Sequence, residues 1–334
     1  MTRIVRFHTL GGPEVLQIEQ ADPAAPAAGE VRIRVRSIGL NRADVMFRRW
    51  IYIEKAVLPS RLGYEASGIV EDLGEGVTGF APGDAVSVIP PIGLGRYGTY
   101  GESATVPARY LVAKPDRLSF HEAASAWMQY ITAYGGLIEA GGLEKGDYVL
   151  ITAASSSVGI AAIQIALLVG AIPIATTISR DKKQAVLDLG APYVISVRDE
   201  DLGEALARIT GARGLNVAFD AVGGPQVEVI AAGMAAGGVI VSHGMLDAAP
   251  THFPLRHAIR NSLIMRGYVF TEIVGDDAKL DAAKHFILDG LASGALQPLI
   301  DKVFDFEDIV NAHRYLESNQ QIGKVVVDVC HQGE

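Results

Sequence analysis

At 334 residues, 49% of them apolar and 20% charged, the chain is long enough for two domains and too hydrophobic for global disorder. A formal net charge of −9 excludes a nucleic-acid backbone or an anionic membrane surface as the main partner, while leaving room for a small anion in a local basic pocket. A single cysteine, Cys330, excludes an internal disulfide and any zinc site built on two or more thiolates, and the lack of a signal-peptide or spanning-helix pattern predicts a soluble, cytoplasmic protein.

Residues 1–120 read as β-rich. VRIRVRS (31–37) alternates apolar residues with arginine, as a strand with one solvated face does. GIVEDLG (68–74) and DAVSVIP (84–90) are further short strands, and ADPAAPAAGE (21–30) and PPIGLGRYGTYGE (90–102) are loops. From about residue 124 strands and helices alternate. Strand 148–152 leads through a small-residue loop to helix 158–169. Strand 172–177, helix 181–189, strand 193–196, helix 201–209, strand 217–223, helix 225–236 and strand 237–244 follow. This series predicts an α/β fold with a doubly wound parallel sheet. The last third holds GYVF (267–270), helices near 278–293 and 306–317, and a final strand, KVVVDV (324–329).

VLITAASSSVGIAAIQIA (149–166) has the layout of a dinucleotide-phosphate loop, with Ala154, Ser156 and Gly159 at the three glycine positions of G-x-G-x-x-G. Backbone N–H groups of Ser156, Ser157, Val158 and Gly159 can point at a phosphate provided the loop needs no positive φ, and the serine hydroxyls add donors. An NAD site usually ends its second strand with Asp or Glu, to hold the ribose 2′-OH. Here Thr176-Thr177-Ile178-Ser179 has no acid, and Arg180, Lys182 and Lys183 follow at once. Three cations at the start of a helix are unfavourable unless an anion offsets them, which favours the 2′-phosphate of NADPH over NADH.

GPEVLQIEQ (12–20), GLNRADVMFRRWIY (39–52), GYEASGIVEDLGEGVTGFAPGD (63–84), AASAWMQYITAY (123–134), the phosphate loop and GKVVVDV (323–329) occur in an order that resembles the medium-chain dehydrogenase/reductase superfamily, in its zinc-independent quinone oxidoreductase branch. The resemblance implies a GroES-like catalytic domain made from both chain ends (1–123 and 265–334), an inserted Rossmann domain (124–264), a substrate cleft between them and a homodimer, for which the strand near 237–242 is the expected seam. Zinc members of the superfamily bind their catalytic metal through Cys, His and Cys; the matching positions here are Asn41, Tyr64 and Gln129, so no metal is expected. By resemblance Asn41, Thr132, Gly244, Met245 and Phe270 flank the nicotinamide. Thr177, Ser179 and Lys182 belong to the 2′-phosphate end, Val222 lies beside the adenosine, and Gly323 with Lys324 marks the C-terminal return. Three positions depart from the branch: Met46 and Val197 stand where tyrosines are usual, and Asn319 where an arginine is.

The reaction implied is hydride transfer to an electron-poor carbonyl, a quinone or an α,β-unsaturated carbonyl. Asn41, Tyr52 and Tyr64 are the candidates to hydrogen-bond the acceptor oxygen, and a phenol with an ordinary pKa is protonated at neutral pH. Asp44 and Glu65 read as structural, and Arg48 and Arg49 as surface or interdomain charges. His243 reads as a loop residue without a catalytic role. The alternatives are an NADPH-binding protein without turnover, in a sensing or structural role, and an enoyl-thioester reductase.

Overall fold

The computed structural model describes residues 1–329; Cys330 lies outside the described residues. Contacts divide the chain into two units, one of Met1–Met128 together with the segment from Pro298 on, the other of Gln129–Gln297.

In the first unit β1 (Thr2–Phe7) pairs antiparallel with β2 (Leu16–Ala21). β3 (Glu30–Gly39) realises the alternation seen in the sequence. Val31, Ile33 and Val35 are fully buried, and Arg32 on the other face meets Glu71 and Asp72 at 3.5 and 3.3 Å. β4 (Glu65–Leu73), β5 (Ala85–Val88), β6 (Ser103–Pro107) and β7 (Leu111–Ala113) complete the first stretch of this unit's sheet.

The helix Arg42–Arg48 lies between β3 and β4. It closes in a Schellman arrangement, with Ile51 N–H on Met46 O and Trp50 N–H on Phe47 O, both at 3.0 Å. The left-handed residue of such an ending is usually glycine. Here it is Trp50, at φ +60°, a conformation that costs an L-residue roughly 1–2 kcal/mol. Arg48, expected as a surface or interdomain charge, is instead fully buried within this unit, donating to Gly11 O and to Glu317. A guanidinium can sit there because a carboxylate and a carbonyl receive its protons.

In the second unit β8 (Tyr148–Ile151), β9 (Ile172–Thr177), β10 (Tyr193–Ser196), β11 (Leu215–Asp220), β12 (Met234–Ser242) and β13 (Ile264–Gly267) form one parallel sheet in the order β10-β9-β8-β11-β12-β13. The first strand is central, the next two step to one side, and the last three step to the other. This is the Rossmann order, whose ligand crevice opens at the carboxyl ends of β8 and β11. Leu150, Ile174, Ile195, Leu206, Ile230 and Ile240 make its buried core. The expected helix 181–189 is a single 3-10 turn, Arg180–Lys182, followed by the helix Lys183–Asp188.

Two expectations are corrected here. The strand near 237–242 is no sheet edge, because β12 is flanked by β11 on one side and by β13 on the other, with Val239 opposite Ile264 and Ser242 opposite Gly267. The chain also returns to the first unit at residue 298 rather than 265, since β13 and the helix Asp277–Ser293 belong to the Rossmann unit. An apolar run such as GYVF does not say which sheet its neighbourhood joins. The returning segment supplies β14 (Ile300–Asp305) and β15 (Lys324–Asp328), giving the order β14-β15-β3-β4-β5-β7, with β6 paired to β3.

Candidate functional site

In the Rossmann unit the turn after β8 is tight. Ala153 takes φ +49°, Ser156 N–H bonds to Ala153 O at 2.9 Å, and Ala154 N–H bonds across to Thr176 O at 2.9 Å. The positive φ therefore falls one residue before the glycine pattern begins, and Ser156 itself sits at φ −73°. Its hydroxyl oxygen accepts Gly159 N–H at 3.1 Å and caps the 13-residue helix Ser157–Val169. The serine does the work of an N-cap, and its hydroxyl proton remains for a ligand. Gly159 is irreplaceable, because a Cβ there would come within 2.6 Å of the Ala154 Cα. Ser157 and Val158 open the helix, where backbone N–H groups lack intrahelical acceptors.

At the end of β9, Thr177 Oγ1 donates to Ser179 O at 3.0 Å. The Arg180 side chain is 74% exposed, with Nε 3.5 Å from Asp199 Oδ2. Lys183, which the sequence groups with Arg180 and Lys182, is committed elsewhere: its ammonium holds Glu200 at 2.7 Å, which lowers that carboxyl's pKa together with the Ser196 N–H. Asp199 and Glu200, on the loop after β10, are acids that the sequence reading did not weigh.

At the end of β11 the buried Asp220 accepts Thr152 Oγ1 at 2.8 Å and the N–H groups of Val222 and Gly223 at 3.0 and 2.9 Å. That network fixes the turn carrying Val222. After β12, His243 stacks on Phe219 at 3.8 Å, and burial lowers its pKa to about 3, so it is neutral at physiological pH. Gly244 leaves no room for a side chain, its would-be Cβ lying 2.5 Å from Ala221 O, and Met245 beside it is 69% exposed. Thr132 is half-buried on the helix Trp127–Tyr134. Phe270, expected to flank the nicotinamide, is only 4% exposed; its ring is core, leaving little surface for a ligand.

In the first unit Asn41 begins the helix Arg42–Arg48, its N–H bonded to Asp44 Oδ2 at 2.9 Å. Both of its amide donors point inward, to Gly39 O and to Glu65 Oε1, each at 3.2 Å, while its Oδ1 accepts the Lys324 ammonium at 2.7 Å. Glu65 also takes Lys324 and, at 3.0 Å, the Met128 N–H. Two expectations change. Lys324, 1% exposed, is the counter-ion of Glu65 rather than a cofactor contact, and Asn41 has no free proton to offer an acceptor. Gly323 sits at φ +100° with a would-be Cβ 2.5 Å from Leu299 O, so strand packing accounts for it.

Tyr52 and Tyr64 remain as donors. Their rings meet edge to face at 6.1 Å, and their hydroxyls share a hydrogen bond. Tyr64 is buried and Tyr52 half-exposed, so Tyr52 is the phenol of the pair that a ligand can reach. Burial pushes the Tyr52 phenol up to about 12 and that of Tyr64 higher still. Behind them Asp44 accepts Tyr100 OH at 3.1 Å, and Tyr100 meets His313 Nε2 at 3.2 Å, all three wholly buried. Burial raises Asp44 to about 7 and lowers His313 to about 3. This relay was missed because its members lie 56 and 213 residues apart.

Residues 27–116 match the family model described as alcohol dehydrogenase GroES-like domain, and residues 157–286 the model described as zinc-binding dehydrogenase. Quinone oxidoreductase 1 of Escherichia coli (strain K12) is 33% identical over 333 residues, covering 97% of this chain and 98% of that one. A crystal structure of Escherichia coli quinone oxidoreductase complexed with NADPH superposes with a TM-score of 0.89 at 30% identity, over 98% of this chain and 100% of that one. The CurK enoyl reductase structure superposes at 0.88 with 26% identity, over 98% and 99%.

The zinc of the second family description can be tested against the donors present. Asn41, Tyr64 and Gln129 offer two carboxamides and a phenol that burial keeps neutral. Asn41 Oδ1 and Glu65 already face an ammonium, which a dication would have to displace. There is neither thiolate nor imidazole, and these residues do not fit zinc. Among the described residues no group of three or more His, Cys, Asp or Glu side chains is placed to hold a metal. The near full-length relative and the two family models, met in the order that the fold builds its two units, establish the kinship: the chain belongs to the medium-chain dehydrogenase/reductase superfamily, in its quinone oxidoreductase branch.

Proposed function

We propose that this oxidoreductase is NADPH-dependent and zinc-independent, and that it reduces an electron-poor carbonyl, a quinone or an α,β-unsaturated carbonyl. The observation that carries the reading is the Tyr52–Tyr64 pair, two protonated phenols at a centre whose donors suit no metal. The second unit fits the cofactor. The capped helix Ser157–Val169 presents its N–H groups where the β8 turn has only small side chains, and no acid ends β9. Arg180 and Lys182 supply cations for a 2′-phosphate. A quinone oxidoreductase of the same fold was crystallised with NADPH.

When bound, NADPH supplies a hydride, one hydrogen with two electrons, and leaves as NADP⁺. Negative charge then gathers on the acceptor oxygen. Tyr52 donates its outward hydrogen bond to that oxygen, and Tyr64 donates to Tyr52, spreading the charge over two phenols. One proton from Tyr52, replaced from solvent, completes the reduced product. Asn41 holds the start of its helix and the Glu65–Lys324 pair in place, as a positioning residue.

A homodimer would use the β13 edge, where Ile264 is 54% exposed and Leu255 and Ile259 nearby are 59% and 73% exposed. No helix is long and apolar enough to cross a membrane among the described residues.

The test is NADPH oxidation against a panel of quinones, enones and an enoyl thioester, with and without chelator, beside elemental analysis. Turnover indifferent to chelator is expected. Loss of activity on chelation with recovery on adding zinc would overturn the metal-free reading. Tight NADPH binding without turnover of any acceptor would favour a binding protein.

A further inference from the structure

Trp50 occupies the left-handed position that ends the helix Arg42–Arg48, where a bulky L-residue is strained and glycine is the favoured choice. Strain of this kind is ordinarily repaid by burial, and Trp50 gains little: it is 49% exposed, whereas Trp127, the other tryptophan of the chain, is fully buried. The ring is nevertheless held. The Lys55 ammonium stands 5.0 Å from the ring centroid and donates to Trp50 O at 2.8 Å. Glu54 ties the same segment down by accepting the N–H groups of Leu94 and Gly95 at 3.1 and 3.3 Å. Ile51 and Ile53, close to Trp50 in the chain, are apolar residues at 58% and 63% exposure. Two residues of chain span at most about 7 Å, so the backbone that carries the indole lies close to the backbone that carries the Tyr52 phenol.

A strained, exposed and braced aromatic beside a reacting donor marks a functional demand that local stability does not explain. We propose that Trp50 is a specificity-determining residue, whose indole provides a stacking surface for the distal ring of a planar bicyclic or larger aromatic quinone whose carbonyl is hydrogen-bonded to Tyr52. The proposal rests on the reductase reading above and narrows its substrate class. An acyclic enone has no second ring to reach the indole, so the residue discriminates by acceptor size. Lys55 positions the ring, and Ile51 and Ile53 widen the apolar margin.

Trp50→Gly places the favoured residue at the helix end and is expected to melt higher by about 2 °C. It is also expected to lower the ratio of kcat/KM for a naphthoquinone to that for an acyclic enone by about tenfold, mainly through KM for the naphthoquinone. Trp50→Phe keeps an aromatic face and should retain most of the ratio. A ratio that moves less than about twofold in Trp50→Gly, with the higher melting point, assigns the indole no role in recognition and overturns the proposal. A second readout is independent of turnover. With NADP⁺ in place of NADPH, so that the quinone is not reduced, naphthoquinone should quench the red-shifted emission of the exposed indole saturably in the unaltered protein, and Trp50→Gly should lose that component. Saturable quenching without turnover of any acceptor would sink the reductase reading and leave the indole as a ring-binding surface alone; purely collisional quenching, with turnover intact, would sink the inference.

Discussion

Tyr52 and Arg180 show how much a single side chain's surroundings decide. The Tyr52 phenol, pushed up to about 12 by burial, keeps its proton throughout the neutral range, so its contribution to the rate should not vary with pH between roughly 6 and 9. Tyr52→Phe removes the outward donor and should lower kcat about a hundredfold with KM for NADPH unchanged, whereas Tyr64→Phe, one bond further back, should cost about tenfold. Steady-state kinetics on both variants checks the order; equal losses would mean that the outward proton is not that of Tyr52. At the cofactor end, Arg180→Ala with Lys182→Ala should weaken NADPH binding by roughly 2–4 kcal/mol and leave NADH nearly unaffected, by calorimetry. Lys183 is excluded from that pair because Glu200 already holds it at 2.7 Å. Asn319, which stands where an arginine is usual in the branch, sits at φ +58° after the helix Ile309–Glu317 and accepts Arg42. A short amide tolerates that backbone better than most side chains, so local geometry gives the residue a reason to be there.

Among the elements, the β8 turn and its helix carry the cofactor reading, and β13 carries the expectation of assembly. The loop dispenses with two of three pattern glycines because only Gly159 meets the backbone, while Ser156 replaces flexibility with a cap. β13 is an edge strand with one ladder of backbone groups open and Ile264 exposed beside it. Ile264→Lys should therefore turn a dimer into a monomer in sedimentation equilibrium, while melting within about 1 °C of the unaltered protein at low concentration. A dimer unchanged by that substitution would move the seam elsewhere.

For the molecule as a whole, buried titratable groups set how stability follows pH. His313 is held neutral, with its pKa lowered to about 3. The unfolded chain binds that proton below about pH 6.5, so stability is full above that value and falls as pH drops toward 3. Asp44 works in the opposite sense. Its folded pKa of about 7 exceeds the unfolded value of 3.8, so its contribution is greatest in acid and is lost as pH rises from about 4 to 7. Asp44→Asn removes that loss. Its stability relative to the unaltered protein should rise by roughly 2–4 kcal/mol between pH 4 and 8 in urea unfolding. A flat difference would mean that Asp44 stays ionised beside Tyr100.

What the sequence determined by itself was whatever repeats along the chain. The alternation of VRIRVRS became β3, and the strand–helix series from 148 to 244 became five strands of one parallel sheet, because periods of 2 and 3.6 are set by local backbone geometry. The small-residue turn into a helix after β8 and the acid-free end of β9 were legible for the same reason, since their parts lie within a few residues of one another. Only the tertiary structure decided that Lys324 neutralises Glu65 from 259 residues away, that Tyr100 and His313 back Asp44, that β13 covers β12, and that the chain rejoins its first unit at residue 298. Charge pairing and sheet membership depend on which distant segments meet, and no local period encodes that choice.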